Sequence, residues 1–138
     1  MLTAKASWTR DLHFVCKADS GHTTEMDVPL TIGGGSTAPT PTETTLMALA
    51  ACSGVDVISI LTKMKCPPTS LEVRADAERG EKHPRVFTHI RVMFVVTGDV
   101  PEKSLQRAIQ LSAKTYCSIG AMLGAIANID YDYELRPA

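Results

Sequence analysis

Residues 40–68 read TPTETTLMALAACSGVDVISILTKMKCPP, and this stretch decides the fold. Thr40 can cap a helix, Pro41 suits its first position and Glu43 can close a capping box, while Pro67-Pro68 stops the helix after about Lys65. Between Thr44 and Thr62 the only charge is Asp56, so the helix is apolar on nearly every side. Its length could just span a bilayer. Thr, Ser and Gly dilute it, however, and a carboxylate near its middle costs several kcal/mol in lipid. The expectation is a buried helix and no membrane association.

The residues around this helix read as strands. Leu2, Ala4, Ala6 and Trp8 alternate with polar residues, then come Leu12–Ala18 and Thr23–Leu30 across a Ser20-Gly21-His22 turn. The run from Ile32 to Pro39 reads as a flexible connector. It contains three consecutive glycines but lacks the Lys-Ser/Thr of a phosphate-binding loop. After the helix, Leu71, Val73, Ala75 and Ala77 mark one face of a strand over Thr69–Glu78, and a hairpin at Arg79–Lys82 leads into a strand over Val86–Thr97. A second helix opens at Asp99–Glu102 and runs to about Thr115. A short apolar third covers Ser118–Ala127, and Ile129–Leu135 closes the chain as a strand. Strands in runs and helices in runs give an α+β fold, an antiparallel sheet with a long buried central helix. All 138 residues are expected to form one domain. A small sheet cannot cover a helix that is apolar all round, so a second copy of the chain is expected, as a symmetric homodimer.

Composition excludes several classes of function. The net charge is −1 and the isoelectric point about 6.4, which argues against nucleic acid or an anionic membrane as partner. Four cysteines are too few for a disulfide scaffold, and the N-terminal residues have no apolar run of signal-peptide length. A cytoplasmic protein with reduced thiols is the expectation. No two cysteines are spaced as a zinc site needs, so no metal is expected.

Cys52 and Cys117 lie in the two most apolar stretches. Taken singly, each is a small buried hydrophobe. Together, on two helices that share one core, they suggest a redox pair shielded from bulk water. Burial should raise the pKa of Cys52, and Asp56, one turn on, would disfavour its thiolate if it faced the same pocket. Cys117 gains a favourable position if Ser118 begins a helix. Cys16 and Cys66 read as packing. The methionines at 47, 64, 93 and 122 fill core or line an apolar pocket.

The segments PTPTETTLMALAAC (39–52), SGVDVISILTKM (53–64), AIQLSAKTYCSIGAML (108–123) and HPRVFTHIRVMFVVTG (83–98), with Ser20-Gly21-His22 and Met26-Asp27, together resemble the OsmC/Ohr family of cysteine-based peroxidases, within its OsmC-like subgroup. The resemblance implies an intertwined homodimer with two sites at the subunit interface, an activity reducing organic hydroperoxides in defence against oxidative stress, a dithiol reductant and no cofactor. Cys52 would match the peroxide-attacking cysteine and Cys117 its resolving partner. The family supplies an arginine from the N-terminal region, and Arg10 is the only arginine before the central helix. It is either that cation or a solvated turn residue. A family glutamate follows the helix-starting proline. Here Glu43 is displaced by one position, and nine residues separate it from Cys52, so the two point apart on an ideal helix. Capping alone also explains Glu43. A second reading keeps the same dimer as a binding module for a small apolar or electrophilic ligand, or as a redox sensor, without strong peroxidase activity.

Overall fold

The computed structural model describes residues 1–138, which divide into two compact units, Met1–Thr45 and Leu46–Ala138.

In the first unit, β1 (Ala4–Arg10), β2 (His13–Ala18) and β3 (Thr23–Met26) form an antiparallel meander in the order β1-β2-β3. The β1/β2 register slips between Trp8 and Arg10, and Thr9 in that bulge hydrogen-bonds the Nδ1 of buried His13, whose Nε2 meets Glu25 Oε1 at 3.0 Å.

The third strand stops at Met26, short of its expected end, because Asp27 turns inward. Its carboxylate accepts from the N–H groups of Val28 (2.8 Å), Gly35 (3.2 Å) and Thr37 (3.1 Å) and from the Thr37 hydroxyl (2.6 Å). The glycine run expected as a flexible connector is therefore a fixed loop. Gly34 is obligatory there, since a Cβ would lie 2.0 Å from the Val28 carbonyl oxygen. The Thr37 hydroxyl, followed by the backbone donors, holds the Asp27 carboxyl well below the usual carboxylate range.

The long helix α1 (Pro41–Lys63) starts as its sequence predicts. The Thr40 N–H donates to Glu43 Oε1 at 2.9 Å, and the Glu43 N–H donates to Thr40 Oγ1 at 3.0 Å, a reciprocal capping box.

In the second unit, β4 (Ser70–Arg79), β5 (Phe87–Thr97) and β6 (Asn128–Arg136) form a sheet in that order. The pair β4/β5 is antiparallel, but β5/β6 is parallel, so this sheet is mixed rather than antiparallel throughout. The cause is the crossover through α2 (Glu102–Leu111), a five-residue π-helical turn (Ser112–Tyr116) and α3 (Ser118–Gly124), which carries the chain back to the end where β5 began. Leu49, Val57 and Leu61 of α1 join Ile90, Val92, Phe94 and Val96 of β5 in one core with Leu105 and Ala108 of α2. The alternation along β4 turns Leu71, Val73, Ala75 and Ala77 toward this core and their neighbours to solvent. Gly54 lets the helix approach β4, because a Cβ there would sit 3.2 Å from Val73 Cγ2.

Much of α1 remains uncovered. Met47, Val55 and Ile58 are exposed, and Met47, Ala50, Ala51, Ile58, Leu71 and Val73 line an open apolar groove of about 640 Å³.

Asp27 sets a pH signature. Its depressed pKa contributes stability above the unfolded carboxyl value of about 3.9, and that contribution is lost as pH falls toward the folded value. In urea unfolding, Asp27→Asn is expected to be less stable than wild type at pH 7, with the difference shrinking as pH drops below about 4. A difference independent of pH contradicts this account.

Candidate active site

Both sequence-selected thiols lie in the second unit, and the fold brings them together. Cys52 is half-buried on α1, and Cys117 is buried at the residue before α3. Their sulfurs and a carboxylate oxygen of Asp56 all lie within 4.8 Å of one another. Cys52 and Asp56 are one helical turn apart, which puts them on one face of α1. Asp56 thus faces the thiol pocket, the arrangement its sequence position left open. All four cysteines are free thiols.

The local structure at Cys117 follows from the π-helical turn. That turn holds the Cys117 N–H on the Ser112 carbonyl (2.9 Å) and leaves Cys117 extended, with φ −76° and ψ 100°. Single π turns recur at functional sites because they re-aim the residues beside them. The Cys117 Sγ then caps α3, accepting from the Gly120 N–H at 3.2 Å, and lies 3.7 Å from Ser53 Oγ. The Ser112 hydroxyl donates to Asp56 Oδ2 at 2.9 Å. A Cβ on Gly120 would stand 3.1 Å from the Tyr131 hydroxyl and 3.3 Å from Cys117 Sγ, so the phenol borders the same pocket.

Burial pushes the Cys117 thiol above its ordinary pKa, and the neighbouring Cys52 thiol adds to the rise. The Gly120 N–H and the Ser53 hydroxyl oppose it without prevailing. The helix start expected to stabilise this thiolate is present, but desolvation outweighs it. No lysine or arginine is among the groups acting on Cys117. Burial also raises the Tyr131 phenol, with Cys117 and Cys52 contributing, so it is a neutral O–H.

The other two candidates for the site, Arg10 and Glu43, lie in the first unit. Arg10 ends β1 and donates to Thr37 Oγ1 at 3.4 Å. Glu43 is engaged in the helix cap. Cys16 lies on β2, and Cys66 packs against the core of the second unit. Sequence reading missed Ser53, Ser112 and Tyr131. Of these, Tyr131 carried a signal, since Ile129, Tyr131, Tyr133 and Leu135 alternate with charged residues and so share the inner face of β6. A cleft of about 390 Å³ opens at Asp56, lined by Ile60, Lys63, Met64, Leu111 and Tyr116.

An α+β protein with two facing thiols in its core is the class of molecule this geometry defines. Residues 33–132 match the family model described as OsmC-like protein. Protein YhfA of Escherichia coli strain K12 is 41% identical over 138 residues, covering 99% of this chain and 100% of its own. The chain belongs to the OsmC-like family. Among solved structures, a hypothetical protein from Aquifex aeolicus VF5 superposes with a TM-score of 0.88 at 28% identity, covering 100% of this chain and 98% of that one. An organic hydroperoxide resistance protein from Elizabethkingia anophelis superposes at 0.75 with 16% identity, over 99% of this chain and 96% of that one. This last likeness is one of fold.

The raised pKa of Cys117 is directly measurable. In a Cys16→Ala/Cys52→Ser/Cys66→Ala variant, Cys117 is the sole thiol. Its thiolate absorbance is expected to titrate above the ordinary value of about 8.5, because burial is the larger cause and survives the loss of Cys52. A midpoint at or below that value contradicts the assignment.

Proposed function

We propose that this protein is a cofactor-free thiol peroxidase that reduces organic hydroperoxides, with Cys52 as the attacking and Cys117 as the resolving cysteine. The observation that carries the reading is the approach of the two sulfurs to within 4.8 Å beside the hydrophobic core. The Cys52 thiolate attacks one peroxide oxygen, the O–O bond breaks, and the alcohol leaves with a proton, leaving a sulfenic acid. The Cys117 sulfur displaces that hydroxyl as water and forms the disulfide. An external dithiol then reduces the disulfide by exchange. Resolution protects Cys52 from irreversible over-oxidation.

The substrate class is supported by the cleft beside Asp56, where Ile60, Met64, Leu111 and Tyr116 offer apolar surface to an organic group. The homodimer is supported by the uncovered face of α1 and its groove, for which a second copy of the same apolar helix is the fitting partner. Free thiols in the working state fit the cytoplasm. Neither nucleic acid nor membrane enters this reading. Arg10 is carried forward as the cation for Cys52, and Glu43 as a helix cap that the family pattern also makes a candidate to orient it.

One observation favours the second reading, a ligand-binding or redox-sensing dimer without strong peroxidase activity. Burial keeps Cys117 protonated, and no cation acts on it.

Stopped-flow consumption of cumene hydroperoxide by the reduced protein separates the two. Wild type is expected to consume it far faster than Cys52→Ser, whose rate should fall to that of a variant lacking both thiols. Equal rates for Cys52→Ser and wild type overturn the peroxidase. Arg10→Met is expected to slow the reaction severalfold, because the attacking sulfur loses its cation. An unchanged rate removes Arg10 from the site.

A further inference from the structure

Cys52, Asp56 and Cys117 each place one ligating atom within 4.8 Å of the other two. We propose that, in the reduced protein, these three side chains form a binding site for one thiophilic divalent cation of the zinc type, held by two thiolates and a carboxylate. Sequence spacing gave no hint of it, because the ligands come from one turn of α1 and from a residue sixty-five positions beyond Cys52.

The donor set is one that zinc takes. Sulfur binds it at about 2.3 Å and carboxylate oxygen at about 2.0–2.2 Å, so donors around one tetrahedral ion stand roughly 3.5–3.8 Å apart. Three donors already within 4.8 Å need only small side-chain rotations to close on an ion. Two of the ligands carry the outer hydrogen bonds that orient metal ligands. The Ser112 hydroxyl holds Asp56 Oδ2 at 2.9 Å, and the Gly120 N–H points at Cys117 Sγ at 3.2 Å. The charge arrangement agrees. Three acidic side chains converge beside a hydrophobic core, and no basic side chain is among the groups acting on Cys117. A divalent cation would balance the charge that two thiolates and a carboxylate develop together.

Binding is a ligand exchange with no redox change. Two S–H bonds are lost, two metal–sulfur bonds form, and two protons leave to solvent. Asp56 supplies the third bond, and water takes the fourth position. Each thiolate donates one lone pair to the cation, which lowers its nucleophilicity toward a peroxide, and oxidation of the pair to a disulfide removes both sulfur ligands. The site stands on geometry alone and holds whether or not the peroxidase reading does.

The test is anaerobic titration of the full reduced chain, kept in a phosphine reductant, with Co²⁺ as the zinc probe. The expected result is one equivalent per chain, with the visible bands of tetrahedral cobalt and a near-ultraviolet sulfur-to-cobalt band, both bleached by Zn²⁺. Cys117→Ser is expected to lower the sulfur band at least twofold, and Cys52→Ser/Cys117→Ser to abolish it. Asp56→Asn is expected to weaken binding at least tenfold and Ser112→Ala by about tenfold, the cost of losing an outer-shell partner. Absence of the sulfur band in wild type, or Asp56→Asn binding as wild type does, overturns the site. Circular dichroism reports whether each variant folds. Oxidising the wild-type thiols with diamide removes the ligands without a substitution, and cobalt binding that survives it equally overturns the proposal. Peroxide consumption, measured without metal, reads the peroxidase separately.

Discussion

The rotation of one helix about its axis governs this site. Leu49, Val57 and Leu61 of α1 have no solvent exposure, and each stabilises the packed state by about 1.5–3 kcal/mol relative to exposure. Together they fix which way the helix faces. Cys52 lies three positions after Leu49 and Asp56 one before Val57, so seating those side chains in the core also directs the thiol and the carboxylate toward Cys117. Successive residues on a helix are about 100° apart, so a slip of one residue would point Cys52 away from its partner. Gly54 serves the same end by letting the helix backbone settle close to β4.

The second thiol arrives by a different device. A π-helical turn breaks the helix between α2 and Cys117, and the break sets Cys117 before α3 with its sulfur on the Gly120 N–H. Two opposing influences meet at that sulfur. A backbone donor favours the thiolate, and desolvation disfavours it more strongly. A thiol kept protonated is a poor nucleophile, so the attacking role falls to Cys52, and Cys117 must lose its proton as it displaces the hydroxyl of the sulfenic acid. The same cluster of two thiols and a carboxylate is the one proposed to take a cation.

The helix start was legible in sequence because capping is local. Thr40, Pro41 and Glu43 carry their own geometry, and the structure repeats it bond for bond. The β4 alternation was legible for the same reason. The parallel pairing of β5 with β6 was not, since alternation has the same period in either direction and only the crossover decides. The fixed loop at residues 33–37 was not legible, because glycine composition carries no information about an aspartate that folds back on it. Cys52 and Cys117 were found because both lie in apolar runs. Tyr131, Ser112 and Ser53 were not singled out, because their importance comes from neighbours more than fifty residues away for Ser112 and Ser53, and eleven away across a turn for Tyr131.

The central claim is that these two sulfurs form a working couple, and peptide mapping tests it most directly. Reduced protein is treated with one equivalent of cumene hydroperoxide, quenched with acid, alkylated and digested without reductant. The account requires a single dominant cross-linked species joining the peptides that carry Cys52 and Cys117, with Cys16 and Cys66 alkylated. Recovery of all four cysteines as alkylated thiols, or a disulfide through Cys16 or Cys66 in its place, contradicts it.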